Sequence, residues 1–261
     1  MIAIVSPAKK LIEGGAELAI EHSTPPLLNR TEELAQTTRL LSREDLQSLM
    51  NISDKLADLN WQRFQSFGVP FTAQNARQAV LCFNGDTYMG IDAHSLSNTD
   101  LHYAQNHLAI LSGFYGVLRP LDLIQPYRLE MGTRLETSQG KNLYAFWGST
   151  ITEQINQWTR DHTHPTVINL ASNEYYKSVK HKQLRGGVIT PVFKEEKNGK
   201  SRVISFMAKK ARGMMARYII QNKLEEPEAL KEFQMAGYGY QPKESTADKW
   251  VFSRMQPPPL R

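Results

Sequence analysis

Three short runs in this 261-residue chain combine small polar residues with a cation or a carboxylate, the mixture an anion-handling site needs. They are Ser6-Pro7-Ala8-Lys9-Lys10, Asn84-Gly85-Asp86 and Ala171-Ser172-Asn173-Glu174, with Lys177 one turn beyond the last. Each follows an apolar run that reads as a strand: IAIV, AVLCF and VINL. Strands running parallel would bring their carboxyl ends to one sheet edge, where open sheets hold ligands. Lys9 would bind the anion there, with Asp86 or Glu174 as acid, base or ligand to a divalent ion. The same small polar residues also cap helices and make turns with no chemistry involved.

A second set of residues suits phosphate without catalysis. In LSGFYGVLRPLDLIQPYRLEMG (111–132), Gly113 ends a helix expected over 101–112, and Gly116 precedes a helical element over 117–124 with Pro120 in its first turn. Such a helix-hairpin-helix element offers backbone N–H groups to a phosphate, with Arg119 beside them and Arg128 further along. The motif usually separates its glycines by one residue; here two intervene. In FMAKKARGMMARYII, Met207, Ala211, Met214, Met215 and Tyr218 share one helical face, and Lys209, Lys210, Arg212 and Arg217 the other. Gly213 and Ala216 on the basic side are small enough for a backbone to approach. With Lys177 and Lys180, these cations and the two glycines are the candidate DNA-binding residues.

The charge distribution points the same way. The chain carries +5 overall, yet twelve lysines and arginines face only three glutamates between residues 173 and 220, a local +9. Clustered like charge repels itself, and a polyanion relieves that repulsion. Seven histidines show no zinc spacing with the single cysteine: His162 and His164 alternate beside Pro165 in what reads as a surface loop. No metal or cofactor is expected, and no Walker, dinucleotide or nucleophile-elbow sequence occurs. Cys82 lies within AVLCF, so no disulfide can form within one chain, and a buried thiol is inert.

The elements that must position these residues alternate. Helices are expected over 30–41, 43–50 behind Ser42 and 54–67 behind Ser53, with strands at 79–83, 166–170 and 187–193. Asn198-Gly199 between two strand-like arms signals a tight hairpin, which excludes a purely parallel sheet. GYGYQ and KWVFSR should pair near the C-terminus, and 256–261, with three prolines, reads as a disordered tail. The fold class expected is mixed α/β, α+β-like: one domain over 1–255, a mixed sheet surrounded by helices. No run of eighteen apolar residues and no export signal are seen, so a cytoplasmic protein with no membrane contact, monomeric by preference, is expected.

Taken together, SPAKK, FNGDTYMG, LSGFYGVLRPLDLIQPYRLEMG, LYAFWG, INLASNEYYKSV and AKKARGMMARYI resemble, in order, the signature blocks of the bacterial YaaA peroxide-stress family. Lys10 departs from that pattern, where threonine is more common. The resemblance implies a cytoplasmic protein induced by hydrogen peroxide that limits iron-driven damage and binds duplex or branched DNA through a positively charged cleft with a helix-hairpin-helix element. It also implies a fold unlike the common superfolds. The alternative is an enzyme acting on a nucleic-acid or phosphorylated substrate, with Lys9, Asp86 and Glu174 at its centre. Direct iron sequestration is weakly supported, because no histidine and cysteine pattern offers a site.

Overall fold

Ile2–Val5 is apolar at every position and all four residues are buried, the mark of a strand covered on both faces. It forms β1 of a computed structural model that describes residues 1–17 and 19–258. The elements that follow are β2 (Lys10–Leu11), α1 (Leu28–Arg39), α2 (Arg43–Met50), α3 (Asp54–Ser66), β3 (Arg77–Gln78), α4 (Ala79–Cys82), β4 (Phe83–Asn84) and α5 (Asp86–Ile91). Next come α6 (Asn98–His107), β5 (Leu108–Ser112), β6 (Gly116–Leu118), β7 (Leu123–Ile124), α7 (Leu143–Trp147), α8 (Thr150–Trp158), β8 (Val167–Leu170) and α9 (Asn173–Tyr176). The last are β9 (Val188–Lys197), β10 (Lys200–Arg202), α10 (Ser205–Gln221), β11 (Gly239–Tyr240) and β12 (Lys249–Met255).

The main sheet runs β11-β12-β9-β8-β1-β5-β6, with β10 folded back on β9, giving 8 strands. Pairing is parallel from β12 through β9, β8 and β1 to β5. It turns antiparallel at both ends, where β6 and β11 add on. The β9–β10 hairpin turns at Asn198 and Gly199, with φ of 51° and 69°, as a two-residue turn with both residues left-handed requires. Helix α10 lies against β1, β8 and β9 and beside α6. One apolar cluster joins the parallel strands to these helices and to Trp250 and Phe252 of β12. The chain is thus a single compact α/β domain with a mixed, mostly parallel sheet.

Several local expectations are corrected. The run 79–83 is not a strand: α4 takes 79–82, and the free N–H groups of Ala79 and Val80 bond the carbonyls of Asp122 and Pro120. The helix expected over 101–112 stops at His107, and Leu108–Ser112 becomes β5, buried at all five positions and paired parallel with β1 through Leu108, Ala109 and Ile110. The element expected over 117–124 is two short strands on either side of Pro120. The 113–119 corner is therefore a strand–turn–strand, not a helix-hairpin-helix. Phe114 and Tyr115 are buried at its tip, and a Cβ on Gly113 would sit 2.2 Å from the Leu129 carbonyl oxygen. Gly116, with φ of 72°, lies with its missing Cβ 2.8 Å from the Trp147 ring. Both glycines serve the protein's own packing. Of the expected tail, 259–261 falls outside the described residues, while the Gln256 N–H still bonds Glu196 O at 2.9 Å.

A cationic cleft as the candidate functional site

The adjacent parallel strands β1 and β8 end in register, Val5 opposite Leu170, so the loops leaving them meet. Ser172 donates its N–H to Ser6 Oγ at 2.9 Å, and the two hydroxyls are 3.3 Å apart. Asn169 Oδ1 accepts the Ala171 N–H at 3.1 Å, which turns the chain out of β8. The third loop arrives by another route. Lys10 and Leu11 pair antiparallel with Asn84 and Phe83, and this two-residue ladder brings Asn84-Gly85-Asp86 to the same edge. Tyr88 Oη then donates to Ser6 O at 3.1 Å.

These loops, the segment 127–130 and one face of α10 enclose a cleft of about 550 Å³. Lys9, Asp86 and Glu174 all line it, Lys9 and Glu174 from the strand ends as expected and Asp86 by way of the β2–β4 ladder. Of the candidate phosphate ligands, Arg128, Lys209 and Arg212 line it as well, and Lys10 adds a fifth cation. Against these stand three carboxylates, two of them occupied. Glu130 pairs with Lys9 at 2.8 Å and Arg128 at 3.1 Å. Glu174 Oε1 accepts the Gly132 N–H at 2.9 Å, bracing the wall rather than facing a ligand alone. Asp86 has neither an ion pair nor a hydrogen bond among the described residues and stands partly exposed in the cleft.

Arg212 is the unusual cation. It is partly buried, burial pulls its pKa below the usual guanidinium value, and among the described residues no carboxylate pairs with it. The group stays charged, since arginine does not lose its proton in proteins. A desolvated cation without a counter-ion is costly, and an anion bound beside it would relieve the cost. Lys10 and Lys209 are exposed and form no ion pair among the described residues. The phenols of Tyr88, Tyr127 and Tyr175 also line the cleft, and burial drives all three upward, so they stay neutral.

The remaining candidates lie elsewhere. Arg119 reaches Asp122 at 3.9 Å and stands 5.8 Å over the Trp158 ring. Arg217 donates to the carbonyls of Ile91 and Asp92 at 2.9 Å each, capping the C-terminal end of α5. Lys177 and Lys180 border a separate depression. Lys210 is exposed outside the cleft. Gly213 and Ala216, expected to admit a phosphate, are buried, and Gly213 packs on Gly90 of α5 instead. The reading from sequence missed Glu130, whose place between Lys9 and Arg128 depends on contacts with no local signature.

Cys82 is buried, its thiol pushed up to about 12 by desolvation and bonded to Ile12 O at 3.4 Å, so it is not poised for redox chemistry. Rather than standing in a surface loop, the His162 ring stacks on His107 at 4.7 Å, and burial lowers its pKa to about 4. Among the described residues no group of three or more histidine, cysteine or acidic side chains could hold a metal ion, and no helix is long and apolar enough to cross a membrane.

A family model described as peroxide stress protein YaaA matches residues 1–244. The chain is 54% identical over 254 residues to a UPF0246 protein of Magnetococcus marinus, covering 97% of this chain and 99% of that one. A UPF0246 protein of Saccharophagus degradans is 52% identical over 256 residues, at 98% and 100% coverage. One of Shewanella piezotolerans is 53% identical over 254 residues, at 97% and 99%.

Proposed function

The chain belongs to the peroxide stress protein YaaA family and so has a role in peroxide stress, and on that premise we propose that its cleft binds DNA by the phosphate backbone, without reading base sequence. The observation that carries this reading is Arg212, a partly desolvated guanidinium with no counter-ion among the described residues, flanked by the exposed Lys10 and Lys209. Phosphate oxygens accept from such a group as a carboxylate does, and the backbone repeats them at a spacing several cations can share. Protection follows from the same chemistry. Cations condense on DNA phosphates, and a protein that neutralises phosphates releases them. Iron(II) among those cations would be moved away from the strand that peroxide chemistry otherwise damages, so limiting iron-driven damage needs no iron site in the protein.

The test is a binding titration of a short labelled DNA at several salt concentrations. The parent's log affinity should fall by about 0.7 per log unit of salt for each phosphate neutralised on a single strand, or about 0.9 on a duplex. Arg212→Ala should weaken binding about tenfold on every sequence, the loss of one charged hydrogen bond, and flatten the slope by about one phosphate. Unchanged affinity and slope in this variant would remove the cleft from the reading.

Asp86 supports a second reading, in which the cleft acts on a nucleic-acid or phosphorylated substrate. Backbone binding alone gives no use for a carboxylate without a partner among five cations. It stands where a general base or a ligand to a divalent ion would act. Asp86→Asn, introduced into cells challenged with hydrogen peroxide, separates the two. Retained DNA affinity with lost survival means catalysis; normal survival means that the carboxylate takes no part.

A further inference from the structure

Of ten phenylalanines, ten tyrosines and four tryptophans, Phe206 alone is exposed, at 58%. Isolated apolar residues are common on protein surfaces and need no explanation by themselves. The setting of this one does. Phe206 lies in the first turn of α10, three residues before Lys209 and six before Arg212, so the three form a stripe along one side of the helix that leads into the cleft. Immediately upstream, the β9–β10 hairpin presents Lys197, Lys200 and Arg202, all exposed and without an ion pair among the described residues. The chain passes directly from that hairpin through Ile204 into α10. The exposed ring thus sits between a cationic hairpin and a cationic cleft.

An exposed aromatic ring flanked by cations that track a backbone is how proteins hold single strands: phosphates lie along the charges and an unpaired base stacks on the ring. A base inside a duplex is already stacked on both sides and cannot use such a platform. The cleft's size agrees. At about 550 Å³ it has room for a ligand of nucleotide size. A duplex, whose major groove alone is about 12 Å wide, could only lie across its mouth.

We infer that the nucleic acid bound here is an unpaired strand, one base stacking on Phe206 while its phosphates run from the β9–β10 hairpin to Lys209 and Arg212. This rests on the backbone-binding reading above and names the state of the strand that reading left open. Such a state suits protection, because unpaired bases lack the shielding of the stack.

The experiment measures three labelled probes of equal length: a single strand, a blunt duplex and a single strand with abasic sites through its centre. Phe206→Ala should weaken single-strand binding about tenfold, the loss of one stacked base, with no change in salt slope because no phosphate contact goes. Phe206→Trp should restore it, and its fluorescence should quench on binding. On the abasic strand, parent and Phe206→Ala should bind alike. The parent should bind the single strand more tightly than the duplex; a parent that binds the duplex as tightly, or a Phe206→Ala protein that loses nothing on the single strand or loses as much on the abasic one, overturns this inference and leaves the backbone-binding reading standing. A parent that binds none of the three probes overturns both this inference and the reading beneath it.

Discussion

Gly213→Ala should destabilise the protein by about 3 kcal/mol, although the same change on an open helix would stabilise it by as much as about 1 kcal/mol. A Cβ on Gly213 would stand 1.9 Å from the Thr87 carbonyl oxygen, and one on Gly90 would stand 2.2 Å from the Lys210 carbonyl oxygen. The obstacles are backbone atoms, so no side chain can rotate away. Helices α5 and α10 would have to separate, undoing the contact of Gly213 with Gly90 and the bonds from Arg217 to the carbonyls of Ile91 and Asp92. The same movement carries Lys209 and Arg212 away from Asp86, since the two cations ride on α10 and the carboxylate on the first turn of α5. Urea unfolding monitored by circular dichroism should show a lower midpoint at unchanged slope, and DNA affinity should fall in the surviving folded fraction. A stabilised Gly213→Ala protein would mean that the two helices do not touch where the glycines place them.

How the cleft is assembled was legible where local rules decide and hidden where neighbours do. Parallel strands put loops at one edge whatever their sequence, so the convergence of Lys9 and Glu174 could be argued from IAIV and VINL alone. Asp86 arrived at the same edge for a different reason than expected, because AVLC is helical and the two-residue ladder between β2 and β4 does the positioning. The Asn198-Gly199 turn and the Ser42 cap of α2 are set within four residues and emerged as expected. Gly113, Gly116 and Gly213 were misread for a common cause. A glycine that lets a phosphate approach and one that lets the protein's own backbone or Trp147 approach look identical in sequence. Cations divide in the same way. Arg212 and Arg217 lie on one helix, yet one meets an open cleft and the other the carbonyl ends of α5.

Glu195 carries that lesson to its largest energetic consequence. It lies within the polar run KEEKNGK, yet it is 1% exposed. In the parallel register of β9 and β12 it stands opposite Arg254, whose Nε lies 3.1 Å and 3.0 Å from its two carboxylate oxygens. Tyr238 donates its hydroxyl to Oε1, and its ring lies 4.4 Å beneath the guanidinium. Arg254 also donates to Ala236 O at 3.0 Å, tying the edge strands to the segment before β11. Arg254→Met keeps the unbranched apolar stem of the side chain but leaves the carboxylate buried without its counter-charge, a loss of about 3–5 kcal/mol. Adding Glu195→Gln removes the charge while keeping an acceptor for Tyr238, and the double variant should recover most of the loss at neutral pH. Urea unfolding of the parent, both single variants and the double at neutral pH decides the matter. A loss below about 1 kcal/mol for Arg254→Met at neutral pH would show that water reaches Glu195, because only a solvated carboxylate tolerates losing its partner so cheaply.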